Sequence, residues 1–347
     1  MANPLTTRIK ALDGLRAFSV GLVLLGHAFP EFYPSHGVGV DVFFVISGFV
    51  ITRHLLEQRP PLHAFYAARM QRLLPPALLV ISVTWGLFEA GLLETSYLAI
   101  FAAALSFLNW LRAFDLLDNC GQWLGHYWSL SIEEQFYLVW PIILFAMLHR
   151  RAQLVRCLVL AALAVALWRL TGFAMGMSPE RIYNGFDTRA DGLLVGCLLA
   201  MRRVSLPNWG LPAALISIFF VGSLHIDPYS FAAQLRYPLM TILSAIAVAG
   251  CASGTPTGKR LLETTPMLWL GSRSYAVYLW HYPLMGAALM LGGTYGLPRS
   301  FIMLLVIVAS LLAAEATYRL LEEPLRQARH RRQLRGQHKQ QRNLTAA

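Results

Sequence analysis

Long apolar runs recur along the chain, separated by short polar or basic segments. A run of about 20 apolar residues can cross the roughly 30 Å hydrocarbon core of a bilayer as one helix. Candidate runs lie at residues 9–29, 38–56, 74–92, 95–111, 128–148, 153–173, 186–201, 210–226, 231–251, 272–292 and 300–321. The pattern therefore predicts an all-α integral membrane protein.

The basic residues between these runs indicate how many of them cross. Cytoplasmic loops of membrane proteins carry an excess of Lys and Arg. Basic clusters lie at 53–72, 149–156, 202–203, 259–260 and after residue 325. If they and the N-terminus all face the cytoplasm, an even number of crossings must separate each cluster from the next. The number of candidate runs is even everywhere except between residues 72 and 149, where three runs lie. We therefore expect segment 95–111 to lie in the interface or re-enter. This leaves a bundle of about ten transmembrane helices, with both termini in the cytoplasm and Cys120 outside.

Composition supports this class. Of the 347 residues, 56% are hydrophobic and only 14% are charged, although the net charge is +11. Much of the excess lies in residues 326–347, which contain no acid. We expect a transmembrane domain over 1–325 and a disordered cytoplasmic tail over 326–347 that contacts anionic lipid rather than nucleic acid. The cysteines and histidines lack the spacing of a metal site, so we expect no metal.

The first run, IKALDGLRAFSVGLVLLGHAF, carries Asp13, Arg16 and His27 on one helical stripe. Such a stripe either packs against other helices or lines a cavity, because charged groups avoid lipid. We favour an active cavity, since histidine is the usual proton acceptor in acyl chemistry near neutral pH. Arg16 lies about 16 Å from His27 along the helix, so we expect it to pair with Asp13 or to position a donor.

On the cytoplasmic side, FYAARMQRLLPP places Arg69 and Arg72 on one helical face, with Tyr66 one turn earlier. Two such arginines can hold phosphate bidentately. We assign Arg69, Arg72, Tyr66 and Arg273 to a donor phosphate site. The alternative is that these arginines meet lipid phosphates.

On the outer side, WSLSIEEQFYLVWP contains Glu133 and Glu134 near the start of a span. These neighbours lie about 100° apart on a helix, so we expect only one of them to face the bundle. One of the two, or Asp191, is a candidate to hold the second ring nitrogen of His27, as in a catalytic triad.

Four further outer residues are candidates for binding a hydroxyl-rich substrate. They are Asp41, Asp187, Asp191 and His281. Asp187 and Asp191 are spaced to share one helical face, and structural ion pairs are the equal alternative for them. The alternative for His281 is a packed histidine in the aromatic belt of the interface.

Together these motifs closely resemble the acyltransferase family 3 membrane proteins, which O-acylate bacterial surface sugars and some secreted small molecules. The resemblance runs from the first helix to the last. The stretches that carry it are LDGLRAFSVGLVLLGH (12–27), GVGVDVFFVISGFVIT (37–52), FYAARMQRLLP (65–75), HYWSLSIEEQFYLVWP (126–141), RADGLLVGCLLA (189–200), SYAVYLWHYPL (274–284) and LEEPLR (321–326).

The resemblance implies ten transmembrane helices in the bacterial cytoplasmic membrane and a cytoplasmic acyl-CoA donor. It places the family's essential arginine and histidine on Arg16 and His27, and its Arg-x-x-Arg motif on Arg69 and Arg72. Some members add a C-terminal SGNH hydrolase-like domain where this chain has its basic tail. We therefore expect the whole reaction to occur in the membrane domain or with another protein.

The sequence thus predicts an O-acyltransferase that moves a short acyl group, most simply acetyl, from acyl-CoA to a hydroxyl of a glycan, lipid-linked sugar or small-molecule acceptor. We expect His27 to act as general base or to accept the acyl group itself, with Arg16, Glu133 and Glu134 in the catalytic set. The alternative is a transporter or flippase for a sugar-linked or acylated substrate, because polar residues in membrane helices also line translocation paths.

Overall fold

A computed structural model describes residues 8–35, 37–117, 122–202, 204–253 and 256–328. Within these residues the chain is helical and has no β-strand. Cys120 lies outside the described residues, and so does the predicted basic tail, except for 326–328. The α-helices are α1 (Lys10–Ala28), α2 (Val38–Gln58), α3 (Leu62–Glu89), α4 (Tyr97–Ala104), α5 (Leu108–Ala113), α6 (Tyr127–Met147), α7 (Arg151–Ala174), α8 (Pro179–Asn184), α9 (Phe186–Arg189), α10 (Asp191–Met201), α11 (Gly210–Ser223), α12 (Phe231–Ser253), α13 (Pro256–Leu262), α14 (Thr265–Thr294) and α15 (Arg299–Thr317).

Six helical stretches are long and apolar enough to cross a membrane. They are Lys10–Ala28, Val38–Gln58, Leu62–Glu89, Tyr127–Ala174, Phe231–Ser253 and Arg299–Ala328. The stretch Tyr127–Ala174 contains both α6 and α7, of 21 and 24 residues, joined by a 3-10 turn. Helix α14 is also long, at 30 residues, but polar residues interrupt its apolar run. The all-helical membrane fold is confirmed, and the number of ten crossings stays a prediction.

The segment 95–111 does not form one helix. It divides into α4, of 8 residues, and α5, of 6 residues. Between them, Ser106 has a left-handed φ of 56°, which ends the first helix. At 1.5 Å per residue, the two pieces are only about 12 Å and 9 Å long, so neither can span a bilayer as a helix.

Close helix contacts at glycines bring α2 and α14 against α1. A Cβ atom at Gly39 in α2 would lie 2.3 Å from the Ser19 carbonyl oxygen of α1. A Cβ atom at Gly271 in α14 would lie 1.8 Å from the Asp13 carbonyl oxygen. Only glycine allows backbones to approach this closely. These contacts hold the residues that follow on α2 and α14 beside the polar stripe of α1.

The other faces of the bundle present large apolar side chains outward. On α7, for example, Leu160, Leu163 and Leu167 are each more than 60% exposed. On a soluble protein such a surface would drive association, whereas in a bilayer it faces lipid. The polar residues of the chain are therefore concentrated between the helices, where the candidate site lies.

Candidate active site

Five of the predicted site residues lie together around a cavity of about 800 Å³ between α1, α2, α3, α6 and α14. We call it the arginine cavity. Its charged residues are Arg16, Arg69, Arg72, Glu133 and Glu134. Ser47, Ser129, Ser274, Tyr137, Tyr275 and Tyr278 supply hydroxyls, and the remaining lining is apolar. The cavity thus brings together the first-helix arginine, the Arg-x-x-Arg pair and both glutamates.

Arg69 and Arg72 reach this cavity from α3, and neither has a carboxylate partner in the described part of the chain. The guanidinium carbon of Arg69 lies 3.5 Å from the centroid of the Tyr137 ring. The Nε atom of Arg69 is buried and makes no hydrogen bond, while Arg72 is exposed. Among the described residues, no carboxylate lies within ion-pair distance of either guanidinium. Both cations therefore keep donors for an anionic ligand.

Arg16 is held by a neighbour on its own helix. Its Nη1 atom donates to Asp13 Oδ1 at 2.7 Å, and Arg8 donates to the other oxygen of the same carboxylate at 2.7 Å. Asp13 is buried, so this pair fixes the direction in which Arg16 points. The predicted pairing of Arg16 with Asp13 is confirmed.

Both glutamates of α6 face the arginine cavity. Glu133 Oε2 accepts hydrogen bonds from Ser47 Oγ, at 2.8 Å, and from the Tyr137 hydroxyl. The expectation that only one glutamate faces the bundle is wrong. The cavity is wide enough to contact two faces of α6, since residues from four neighbouring helices surround it.

His27 lies at the other end of α1 and lines a separate cavity of about 370 Å³, which we call the histidine cavity. Its other lining residues are Val23, Val40, Arg112, Gly125, His126, Trp128, Tyr183, Tyr278 and Tyr282. The His27 Nδ1 atom lies 2.9 Å from the Val23 carbonyl oxygen, to which it donates. In the neutral ring Nε2 is then the basic nitrogen.

This hydrogen bond replaces the carboxylate that we expected on the second ring nitrogen of His27. Glu133 and Glu134 line the arginine cavity instead, and Asp191 is paired with Arg169. The carbonyl four residues earlier on α1 already accepts from Nδ1. A backbone carbonyl fixes the tautomer as a carboxylate would, without adding a charge.

Aromatic rings pack around His27. The His27 ring centroid lies 5.1 Å from that of His281 and 5.0 Å from that of Tyr282. The His126 ring lies 5.3 Å from each of the same two rings. His281 Nδ1 donates to the Tyr278 carbonyl oxygen at 2.6 Å. His281, one of the four predicted substrate residues, is therefore beside the predicted base.

The two cavities adjoin one another. Val40 and Tyr278 line both of them. The Tyr278 hydroxyl is bonded to Ser129 Oγ at 2.7 Å and donates to the His126 carbonyl oxygen at 3.0 Å. Val40 and Tyr278 therefore border both the cationic end of the site and the histidine end.

The structure places two predicted donor-site residues elsewhere. The Tyr66 hydroxyl donates to the Leu138 carbonyl oxygen at 2.7 Å. Arg273 donates from Nε to Glu315 at 2.7 Å, and its guanidinium lies 4.0 Å from the Tyr318 ring centroid. Arg273 thus joins α14 to α15. Neither residue lies among those that line the arginine cavity.

The three predicted substrate aspartates are engaged in ion pairs. Asp41 is paired with Arg189, and Asp191 with Arg169 at 3.0 Å. The Asp187 carboxylate accepts hydrogen bonds from both terminal nitrogens of Arg181, at 2.9 and 2.6 Å, and from the Trp168 indole N–H, at 2.8 Å. Although partial burial opposes it, these hydrogen bonds lower the pKa of Asp187. The geometry matches the structural alternative that the spacing left open.

Two polar residues of the histidine cavity, His126 and Arg112, were not among the site residues predicted from the sequence. His126 opens the HYWSLSIEEQFY motif, so a polar residue directly before a membrane helix was the available signal. Arg112 follows the segment that we expected not to cross, and its Nε donates to Asn184 Oδ1 at 3.1 Å. Among the described residues, no group of histidines, cysteines and carboxylates is arranged to hold a metal ion.

Comparison with known proteins identifies relatives over nearly the whole chain. The family model described as "Acyltransferase domain" matches residues 9–319. YrhL of Bacillus subtilis, a peptidoglycan O-acetyltransferase by provisional name, is 32% identical over 92% of this chain and 55% of its own length. O-acetyltransferase OatA of Staphylococcus aureus is 30% identical over 92% of this chain and 57% of its own. Peptidoglycan O-acetyltransferase OatA of Listeria monocytogenes is 31% identical over 92% and 56%. The chain thus spans little more than half the length of these relatives. No solved structure is a significant match.

Proposed function

The chain belongs to the acyltransferase family whose domain matches residues 9–319, and on that premise we propose that it moves a short acyl group, most simply acetyl, from cytoplasmic acyl-CoA to a hydroxyl of a glycan or another surface or secreted acceptor. The observation that carries this proposal is the pair of adjoining cavities, one cationic and one containing His27. A CoA thioester needs the first for its phosphates and the second for the reaction.

The arginine cavity suits the phosphates of CoA. Arg69 and Arg72 have no carboxylate partner among the described residues, and Arg16 is directed into the same space by Asp13. Each charge-assisted hydrogen bond to a phosphate contributes about 1.5–3 kcal/mol. Since Arg72 is exposed, the phosphates can enter at that edge while the flexible arm of CoA extends inward.

Transfer from a thioester to an alcohol needs a base and a route between the two cavities. His27 Nε2 takes the hydroxyl proton, the alcohol oxygen attacks the thioester carbonyl carbon, and the carbon–sulfur bond breaks. The CoA thiolate leaves and then takes up a proton. The thioester reaches His27 past Val40 and Tyr278, which border both cavities.

A covalent route through His27 is the second form of the same reaction. His27 Nε2 attacks the thioester, CoA leaves, and the acceptor hydroxyl then displaces the imidazole from the acyl carbon. This form would allow donor and acceptor to use the site in turn from opposite sides of the membrane. The two routes predict different products in the absence of acceptor.

We further propose that ten helices cross the bacterial cytoplasmic membrane, with both termini in the cytoplasm. The six long apolar stretches include α6 and α7 as separate helices, and α14 adds a further helix of 30 residues. Helices α10 and α11, of 11 and 14 residues, are apolar but short.

The acceptor is proposed from chemistry and from the names of the relatives. Two of these name peptidoglycan, a glycan with free hydroxyls, as their substrate. A hydroxyl nucleophile is what the predicted base His27 can activate. We therefore propose a glycan hydroxyl, with the acyl length set by the space beside His27.

The proposal is tested with purified protein in proteoliposomes and acetyl-CoA labelled in the acetyl group. We expect slow release of free CoA without acceptor and label transfer when a hydroxyl acceptor is added. Label on the protein without acceptor would establish the covalent route, and its absence the direct one. Protein that neither releases CoA nor transfers label would overturn the proposed function.

A further inference from the structure

His126 has one ring nitrogen that anchors it and one that does not. Its Nε2 atom lies 3.1 Å from the carbonyl oxygen of Leu279 on α14 and donates to it. In the neutral ring Nδ1 is then a hydrogen-bond acceptor. Within the described part of the chain, that atom is buried and has no hydrogen-bond partner. Buried polar atoms of folded proteins are nearly always paired, so such an atom calls for an explanation.

The surroundings of His126 indicate a ligand. The residue is 4% exposed, and it lines the histidine cavity together with His27. Its ring contacts His281 and Tyr282, the same two rings that contact His27. A molecule whose hydroxyl reaches His27 is therefore within reach of His126.

The lining of the histidine cavity also indicates the chemical class of this ligand. Arg112 and the hydroxyls of Tyr183 and Tyr282 supply hydrogen-bonding groups, and Trp128 supplies an aromatic face. Among the described residues that line the cavity, none is a carboxylate. Sugar rings combine apolar C–H faces with a rim of hydroxyls, so they suit such a mixture.

We propose that the histidine cavity binds one saccharide unit of the acceptor and that His126 Nδ1 accepts a hydrogen bond from a sugar hydroxyl next to the one that is acylated. The inference rests on the proposed function, because it assigns a residue that binds the glycan at that same site. His126 is then an acceptor-binding residue, while His27 acts on the neighbouring hydroxyl. The hydrogen bond from Nε2 to the Leu279 carbonyl oxygen keeps the ring proton on Nε2, so Nδ1 remains a hydrogen-bond acceptor.

Two substitutions separate the roles of the two ring nitrogens. In His126→Gln the side-chain amide nitrogen can reach the position of Nε2 and keep the bond to Leu279, but the acceptor at Nδ1 is lost. In His126→Asn the side-chain oxygen can take the position of Nδ1, but the bond to Leu279 is lost. A purely structural histidine would thus tolerate Gln better than Asn.

The probes are acetyl-CoA, the soluble N-acetylglucosamine–N-acetylmuramate disaccharide as acceptor, and glycerol as a non-saccharide alcohol. For His126→Gln we expect the KM for the disaccharide to rise about three- to tenfold, as for one lost hydrogen bond. The melting temperature and the CoA affinity should stay at wild-type values. For His126→Asn we expect a lower melting temperature and a nearly normal KM for the disaccharide.

The outcomes distinguish this inference from the proposed function. A wild-type protein that neither releases CoA nor transfers acetyl overturns the proposed function and this inference with it. Transfer to the disaccharide with an unchanged KM in His126→Gln overturns the role of His126 alone. CoA release without transfer to the disaccharide, or with glycerol acylated as efficiently, overturns the saccharide assignment.

Discussion

Four arginines of the helix bundle fall into two sets that differ in whether a carboxylate lies beside the guanidinium. Arg169 and Arg189, on α7 and α9, are almost fully buried, and each is paired with an aspartate. Arg69 and Arg72, on α3, line a cavity and have no carboxylate partner among the described residues. The first set of arginines therefore joins helices, and we interpret the second set as a site for an anionic ligand.

Aromatic rings surround the guanidinium of Arg189. Its guanidinium lies 4.4 Å from the ring centroid of Tyr237, 5.4 Å from that of Tyr183 and 5.5 Å from that of Trp128. Trp128 and Tyr183 also line the histidine cavity. The paired arginines thus support the walls of the site, whereas the unpaired ones face its interior.

The largest expected effect comes from breaking the buried pair between Asp41 and Arg189. Arg189→Met keeps much of the side-chain volume but leaves the Asp41 carboxylate buried without its partner, which should lower the free energy of unfolding by about 3–5 kcal/mol. Thermal unfolding in detergent measures the change. The double variant Asp41→Asn/Arg189→Met should recover most of the loss. An unchanged melting temperature in Arg189→Met would show that this pair does not hold the helices.

Substitution of Arg69 and Arg72 should weaken ligand binding more than it weakens the fold. In Arg69→Ala/Arg72→Ala we expect CoA affinity to fall by at least about tenfold, because each lost phosphate contact is worth about 1.5–3 kcal/mol. The melting temperature without ligand should fall much less than in Arg189→Met, since only the contact of Arg69 with the Tyr137 ring is lost. Lysine at both positions should restore binding only in part, since it lacks the planar fork of arginine.

The control for this variant is Arg156→Ala, which removes an exposed arginine of α7. Calorimetric titration with CoA is the measurement. If the double variant binds CoA as tightly as wild type, Arg69 and Arg72 contact lipid phosphates instead of the donor.

The smallest expected effect is at Asp187, whose side chain is 36% exposed. Its pKa is lowered from the usual value of 3.8. The hydrogen bonds from Arg181 and Trp168 to the Asp187 carboxylate therefore stabilise the fold fully above about pH 3.8. This contribution is lost as the pH falls through the lowered pKa of Asp187. At neutral pH, Asp187→Asn should cost less than about 1 kcal/mol because solvent screens this pair.

The pH dependence checks that prediction. The melting temperatures of wild type and Asp187→Asn should differ slightly at pH 6–7 and converge as the pH falls below 3.8. A difference that persists unchanged into strong acid would mean that the carboxylate charge plays no part in it.

The sequence could predict the three arginines of the arginine cavity because they lie on recognisable helical faces. It did not predict that Glu133 and Glu134, which we expected on the outer side, line the same cavity. Arg69 and Arg72 are three positions apart, and Arg16 shares a stripe with Asp13 on α1. The partners in the buried ion pairs could not be predicted in this way. Asp41 and Arg189 lie 148 residues apart, and only the packing of α2 against α10 brings them together.

The same reason explains why His126 was missed. Its place beside His27 depends on the contact between the start of α6 and Leu279 on α14, which are 153 residues apart. Helical periodicity reports which residues share one helix face, and it carries no information on which helices meet. The tautomer of His27 was likewise set by a neighbour that residue types do not reveal, the carbonyl of Val23.

Acetyl transfer by His27→Ala tests the account most directly. The measurement is label transferred from acetyl-CoA to a hydroxyl acceptor by purified His27→Ala protein in proteoliposomes. It is compared with wild type and with His225→Ala, which changes an exposed histidine. We predict that His27→Ala binds CoA normally and loses about 10²–10⁴-fold in transfer, the usual contribution of a general base, while His225→Ala transfers at the wild-type rate. Near-normal transfer by a correctly inserted His27→Ala protein would contradict the assignment of His27 as the reacting base.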